Sequence, residues 1–310
     1  MPSRGSIPFQ FSQGKSDPVE IGGFEWTANG RYDPRTYTEV VIGCQLKERT
    51  RTTLWTCEAV GTFAETGEDE DKRDFYHLWS ASFGTNCTEI TEQCENKLFR
   101  ELSSGIHEVH VELVDSFRTD LADPRNALIK DFSDVANLTI DGEEIWVSKS
   151  VLSVHSMFFE ALFKNHFTDK EQNSYDLKHL DLKLEDFLQF LGIVHCLDMG
   201  INEHSIESLL HLADLLQAKI VFQRCSEFLS SGPGKKLSDA KRIVLADRYK
   251  LPSALVNTLK WTLDKNVRKI STAAGFSHLT SYLMLQQLRI GQNDIYKPDN
   301  EKDDEEDDYY

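Results

Sequence analysis

The chain has 310 residues, 40% of them hydrophobic, and sets 51 Asp and Glu against 34 Lys and Arg for a formal charge of −17. Two folded units of about 150 residues fit this length, and the acidic balance repels phosphate backbones and anionic lipid, which excludes nucleic acid and membrane surfaces as partners. No run approaches the roughly 18 apolar residues of a membrane helix, and the opening Met-Pro-Ser-Arg-Gly-Ser-Ile-Pro lacks the apolar core of a signal peptide, so a cytoplasmic or nuclear setting is expected.

Residues 1–17 are rich in Ser, Gly, Pro and Gln and read as a flexible amino terminus. From 18 to 118 the pattern is that of strands. Aromatic and β-branched runs fall at 38–46, 52–63, 76–83 and 106–114, between turn residues such as Ala28-Asn29-Gly30 and Glu65-Thr66-Gly67-Glu68-Asp69. In the last run His107, Val109, Val111 and Leu113 share one face while Glu108, His110 and Glu112 share the other, the period of a half-buried strand. An antiparallel β domain is predicted over 18–118.

A second domain is predicted over 125–230. Two alternating runs, Val135 onward and Glu144 onward, flank Asp141-Gly142, the strongest short hairpin signal. Beyond them the spacing is helical. Leu152, Phe159, Leu162 and Phe163 form one face, Leu184, Phe187, Leu188 and Leu191 another, then Ile206, Leu209, Leu210, Ala213 and Leu216, and finally Phe222, Cys225, Phe228 and Leu229. Ser231-Gly232-Pro233-Gly234 interrupts the pattern. Further helices are predicted at 238–249 and 252–264 within a segment 236–290, with Pro252 suited to the first helical position. Residues 291–310 form an acidic tail whose stretch 299–308 holds eight acids and one lysine; it is expected to be disordered. Tyr309 and Tyr310 beside it read either as a short docking or phosphorylation motif or as a solvated end.

Catalytic constellations are missing from the pattern. The six cysteines form no C-x-x-C pair and are expected as free, mostly buried thiols. His107-Glu108-Val109-His110 is one residue short of a zinc-protease motif, and on a strand its two imidazoles point to opposite faces. Gly232-Pro-Gly-Lys-Lys236 lacks the earlier glycine and the hydroxyl residue of a phosphate loop. No G-x-S-x-G occurs, and His155, His166 and His179 have no ligand spacing. Neither an enzyme nor a cofactor or metal is expected.

One resemblance organises these elements. Ser133-Asp134-Val135, the Asp-Gly turn with Ile145-Trp146-Val147, Lys149 with Val151-Leu152, Ser156-Met157-Phe158-Phe159 and Ala161-Leu162-Phe163 resemble the BTB/POZ domain in order and spacing. So do Leu177, Leu180, Phe187, Phe190-Leu191, the helix from Leu209 to Asp214, and Cys225 to Leu229. Two positions depart from the family: Ser148-Lys149 replaces its usual His-Lys or His-Arg pair, and His195 stands where tyrosine is common. Gly22-Gly23-Phe24-Glu25-Trp26 and the strand of Val109 to Val114 resemble a MATH domain, with an unrelated β sandwich as the alternative.

The resemblance implies an α+β multidomain chain: an antiparallel MATH-like β sandwich, a mainly helical BTB/POZ domain with a short β-hairpin, and trailing 3-box or BACK-like helices. It implies a non-catalytic adaptor that captures an unknown protein substrate through its β domain, dimerises with itself, and docks a cullin-3 RING ubiquitin ligase. The alternative is a BTB oligomerisation scaffold without ligase function. Cullin-binding candidates carried over are Phe167 and Asp169, a hydrophobic-x-acidic triplet, with His195 at the end of the central helix. Dimer-interface candidates are Val151, Leu152, Met157, Phe158 and Phe159, against a reading of the same residues as monomer core. Asp134 and Lys149 are expected to pair in the family's charged pocket.

Overall fold

A computed structural model describes residues 3–11, 13–32, 37–66, 73–95, 107–165, 173–231, 236–271 and 275–295. The turn residues from Gly67 to Asp69, the break at Gly232 to Gly234, Phe167, Asp169, Tyr309 and Tyr310 lie outside the described residues. The chain divides into two compact units, residues 1–225 and 226–310.

Among the described residues the first unit opens with eight strands in two antiparallel sheets: β1 (Arg4–Phe9), β2 (Val19–Ile21), β3 (Phe24–Tyr32), β4 (Tyr37–Leu46), β5 (Thr53–Thr66), β6 (Arg73–Gly84), β7 (Glu89–Glu95) and β8 (His107–Asp120). One sheet runs β1-β8-β5-β6 and the other β2-β3-β4-β7. Their facing sides close a core in which Trp26, Val40, Ile42, Trp55, Phe63 and Phe83 are fully or almost fully buried. Trp26 of one sheet meets Phe83 of the other edge to face, ring centroids 5.2 Å apart, an arrangement favoured by the ring quadrupoles. The alternation read in β8 is present: His107, Val109 and Val111 are buried while Glu108, His110 and Glu112 lie partly exposed on the other face. Cys44 and Cys57 touch within this core as free thiols, and burial pushes the Cys44 thiol up.

Two expectations for this part are corrected. The amino terminus is not a flexible lead-in, because β1 pairs antiparallel with β8 from Arg4 opposite Glu112 to Phe9 opposite His107, burying Ile7 completely and Phe9 to 3% exposure. As the edge strand carrying alternating Ile7 and Phe9, β1 meets β8 about a hundred residues away, so paired backbone and buried apolar surface outweigh the loose composition. Ala28-Asn29-Gly30 is no turn but the middle of β3. Gly30 serves close packing there: a Cβ on it would come within 2.4 Å of the Phe11 ring.

The hairpin follows as β9 (Val135–Ile140) and β10 (Glu143–Ser148), with Glu143 opposite Ile140. Asp141 and Gly142 both take positive φ, 50° and 81°, as a two-residue primed turn requires. β11 (Ser174–Asp176) adds parallel to β9. The helices are α1 (Lys149–His155), α2 (Met157–Asn165), α3 (Leu184–Val194), α4 (Ile206–Leu215) and α5 (Lys219–Ser230). Central among them is α3, in which Leu184 and every residue from Phe187 to Val194 are buried.

In the second unit lie α6 (Asp239–Arg248), α7 (Pro252–Trp261), α8 (Asp264–Ser271) and α9 (His278–Ile295). Pro252 occupies the start of α7, where its missing N–H is not needed. The carboxylate of Asp247 caps α9 by accepting from the Thr280 hydroxyl at 2.6 Å and the Ser277 amide at 3.2 Å. Helix α9 continues through residues 291–295, so the acidic tail expected from 291 does not begin there.

Burial of β1 has a direct consequence. Ile7→Ala is expected to lower unfolding stability by about 2–5 kcal/mol, read by urea denaturation of the full chain; an unchanged midpoint would mean that the amino terminus is not part of the core.

Candidate functional site

At the start of α1 the sequence Ser148-Lys149-Ser150 places two hydroxyls and a free amide beside the end of the turn that precedes β9. Ser148 is the N-cap, its hydroxyl oxygen accepting the Val151 N–H at 3.2 Å. Asp134 completes the cap from outside the helix: one carboxylate oxygen accepts the Ser150 N–H at 2.9 Å, and the other accepts the Ser148 and Ser150 hydroxyls, each at 2.5 Å. A carboxylate here also complements the positive end of the helix dipole.

Lys149 does not join it. Its ammonium donates to Asn173 Oδ1 at 2.5 Å, so the expected Asp134–Lys149 pair is corrected. Three donors at the helix start satisfy Asp134, and α1 carries the lysine away toward the segment entering β11. A hydroxyl N-cap was readable at Ser148; its carboxylate partner, fourteen residues upstream, was not.

The five dimer candidates separate by burial. Leu152 and Phe159 are wholly buried, and the Phe159 ring meets Phe187 of α3 at 6.1 Å between centroids. These two belong to the monomer core, because α1 and α2 need their bulk to cover α3. Val151 and Phe158 are half-buried, and Met157 is 60% exposed. Val154, which the motif comparison passed over, is 77% exposed. Val154 and Met157, near the junction of α1 and α2, therefore present apolar side chains to solvent.

His195 caps the carboxyl end of α3. Its ring is mostly buried, Nε2 has no hydrogen-bond partner, and burial followed by the nearby His155 lowers its pKa from 6.5 to about 4. It is neutral at pH 7 and little exposed to a partner. Phe167 and Asp169 lie outside the described residues.

The β module carries one open trough of about 670 Å³ on the outer face of the β1-β8-β5-β6 sheet. Its walls are two outward rows set by register, Arg4, Glu112 and Val60 on one side and Ser6, His110 and Leu78 on the other. Arg4 pairs with Glu112 at 2.6 Å, and Leu78 is 80% exposed. His107 lies buried in the core against Phe9 while His110 sits on the opposite face, 3.5 Å from Glu108. Among the described residues no group of three or more His, Cys, Asp or Glu is placed to hold a metal, and no helix is long and apolar enough to cross a membrane.

Residues 126–232, from the segment before the hairpin through α5, match the BTB/POZ domain family. The chain carries a BTB/POZ domain behind a MATH-like sandwich. It is similar to the BTB and MATH domain-containing protein 36 of Caenorhabditis elegans, 24% identical over 325 residues that cover 92% of this chain and 97% of that protein. It also resembles BTB and MATH domain-containing protein 38 of the same organism, at 23% identity across 90% of this chain and 72% of that protein. A vaccinia virus protein with kelch repeats and a BTB domain is 27% identical over 164 residues, 51% of this chain but 27% of its own length. The worm relatives thus span both modules.

Two outcomes follow for the BTB module. Asp134→Ala is expected to cost about 1–2 kcal/mol, as loss of a strong helix cap does, whereas Lys149→Ala stays within about 0.5 kcal/mol; equal urea midpoints for both variants would contradict the assignment. His195 binds its proton more weakly folded than unfolded, so it lowers stability as pH falls from 6.5 toward 4 and has no such effect above 6.5. Replacing it in His195→Gln should flatten the pH dependence of the urea midpoint within that window.

Proposed function

We propose that this chain is a non-catalytic substrate-recognition adaptor that links a target protein to a cullin-3 RING ubiquitin ligase through a dimeric BTB domain. The observation that carries the reading is the BTB/POZ match over residues 126–232, directly behind a separate β module. Fold alone does not fix function, but the arrangement supports binding rather than chemistry: a sandwich with an open outer trough, and a helical module with apolar side chains in solvent.

The dimer face runs through Val154 and Met157, flanked by half-buried Val151 and Phe158. Exposed apolar groups that cluster on one face are what a self-complementary two-fold interface buries. Cullin-3 docks on the segment that carries Phe167 and Asp169 and on the end of α3 near His195. The aromatic is the anchor and the carboxylate a polar contact at the rim. The β module captures the target. The reading implies a cytoplasmic or nuclear protein without cofactor.

The test is capture of the cullin-3 amino-terminal region by the full chain at micromolar concentration. Phe167→Ala with Asp169→Ala is expected to weaken capture by about thirtyfold, equivalent to about 2 kcal/mol for a lost hot spot, while sedimentation still reports a dimer. Val154→Asp with Met157→Asp is expected to yield monomers. A native dimer that captures no cullin would support the oligomerisation scaffold and overturn the adaptor reading.

A further inference from the structure

Between α3 and α4 the chain leaves the BTB module and lies against the β module before returning. The departure is set by the end of α3. Cys196 takes a left-handed φ of 57°, its N–H bonds Ile193 O at 3.0 Å, and the Leu197 N–H bonds Gly192 O at 2.9 Å, the two-bond cap that normally uses glycine. The chain is thereby aimed outward along residues 197–202.

What those residues meet is the turn of the sandwich between β6 and β7. Met199 is 2% exposed, and a Cβ on Gly192 would come within 2.6 Å of its sulfur. At Gly200 a Cβ would stand 2.4 Å from the Ser82 carbonyl oxygen and 2.8 Å from the Cys87 sulfur, so the two modules approach backbone to backbone there. Polar groups close the contact. The Thr56 hydroxyl lies 2.6 Å from Asp198 O, the Ser82 hydroxyl donates to the Asp198 carboxylate at 2.5 Å, and Asn202 Nδ2 donates to Asn86 O at 3.0 Å. Asn86 Nδ2 in turn donates to Asp186 on α3 at 3.0 Å, and Gln189, buried in α3, holds Gly200 O at 2.6 Å.

A second contact lies at the hairpin. Arg51 spans Asp141 at 2.6 Å and Glu143 at 3.0 Å. In the connection between the modules Leu121 and Asn126 are buried; Leu121 O accepts the Trp146 N–H at 2.7 Å, and Asn126 Nδ2 donates to Trp146 O at 2.9 Å. Domains in one chain move relative to each other unless their interface forbids it. Here buried Met199 and the close seat of Gly200 are joined by part-buried hydrogen bonds from Thr56, Gln189 and Asn202, and a rotation between the modules would break those of Thr56 and Asn202 together.

We propose that the loop of residues 197–202 locks the MATH-like sandwich to the BTB module as one rigid body, with Met199, Gly200 and Asn202 as positioning residues. In the adaptor reading, on which this meaning rests, they fix the direction in which a captured target is presented to the ligase. The lock itself requires neither cullin nor target.

The test places spin labels on keto-bearing amino acids at Leu78 of the sandwich and Lys178 of the BTB module, in the full chain diluted with unlabelled chain. The native protein is expected to give one narrow distance distribution. Gly200→Val should broaden it, and so should Thr56→Val with Asn202→Ala, which removes the two hydrogen bonds these side chains make between the modules without crowding, should the first variant misfold. A purely structural role would not widen the distribution while both modules keep their native circular dichroism. A broad distribution in the native chain, or an unchanged narrow one in the second variant, would falsify the lock. Either result beside intact cullin capture rejects the lock alone, and lost capture beside a narrow distribution rejects the adaptor reading alone.

Discussion

A polar donor enclosed by a buried stretch of helix needs an acceptor from the protein, because burial removes its water. α3 contains such a stretch. Its run from Phe187 to Val194 includes no exposed residue, and Gln189 sits in the middle of it with 0% exposure. The Gln189 amide needs acceptors, and it finds them in Gly200 O and the Ser205 hydroxyl. That requirement brings the loop after α3 back across the helix. The same loop then meets the β module, so the central helix and the placement of the sandwich are solved by one set of bonds.

The rest of the BTB module arranges itself around that helix. Phe159 of α2 meets Phe187, and Phe163 stacks beside Phe159 and meets Tyr175 of β11, the strand that extends the hairpin's sheet. The bulk in α1 and α2 that reads as an interface is partly used inward, which leaves Val154 and Met157 outward. Asp134 has a comparable double duty. It ends the turn before β9 and caps α1, so a carboxylate that looks like half of an ion pair is a hydrogen-bond hub for a helix start.

For an adaptor these features have a common logic. Binding needs surfaces held in known directions rather than a catalytic constellation, and the chain provides them: an outer sheet face, an apolar patch near the α1–α2 junction, and a loop that couples the modules. The acidic charge suits a protein that must stay soluble with apolar groups exposed. The buried thiols of Cys44 and Cys57 behave as small core residues, as their environment dictates.

Much of the local structure was legible because its signals are short-range. Asp141-Gly142 demands a primed turn, Pro252 marks a first helical turn, alternation in β8 sorts its two faces, and apolar spacing places α3, α4 and α5. The order of BTB motifs, spread over nearly a hundred residues, supplied the domain. Other features depended on partners distant in the chain. The pairing of Ile7 and Phe9 with β8, the use of Gly30 under Phe11, the capture of Asp134 by serines rather than Lys149, and the seat of Gly200 against Ser82 are all of this kind. Periodicity reports which face of an element is apolar. It does not report what that face touches, and only the folded chain brings a glycine and a carbonyl more than a hundred residues apart to within reach of each other.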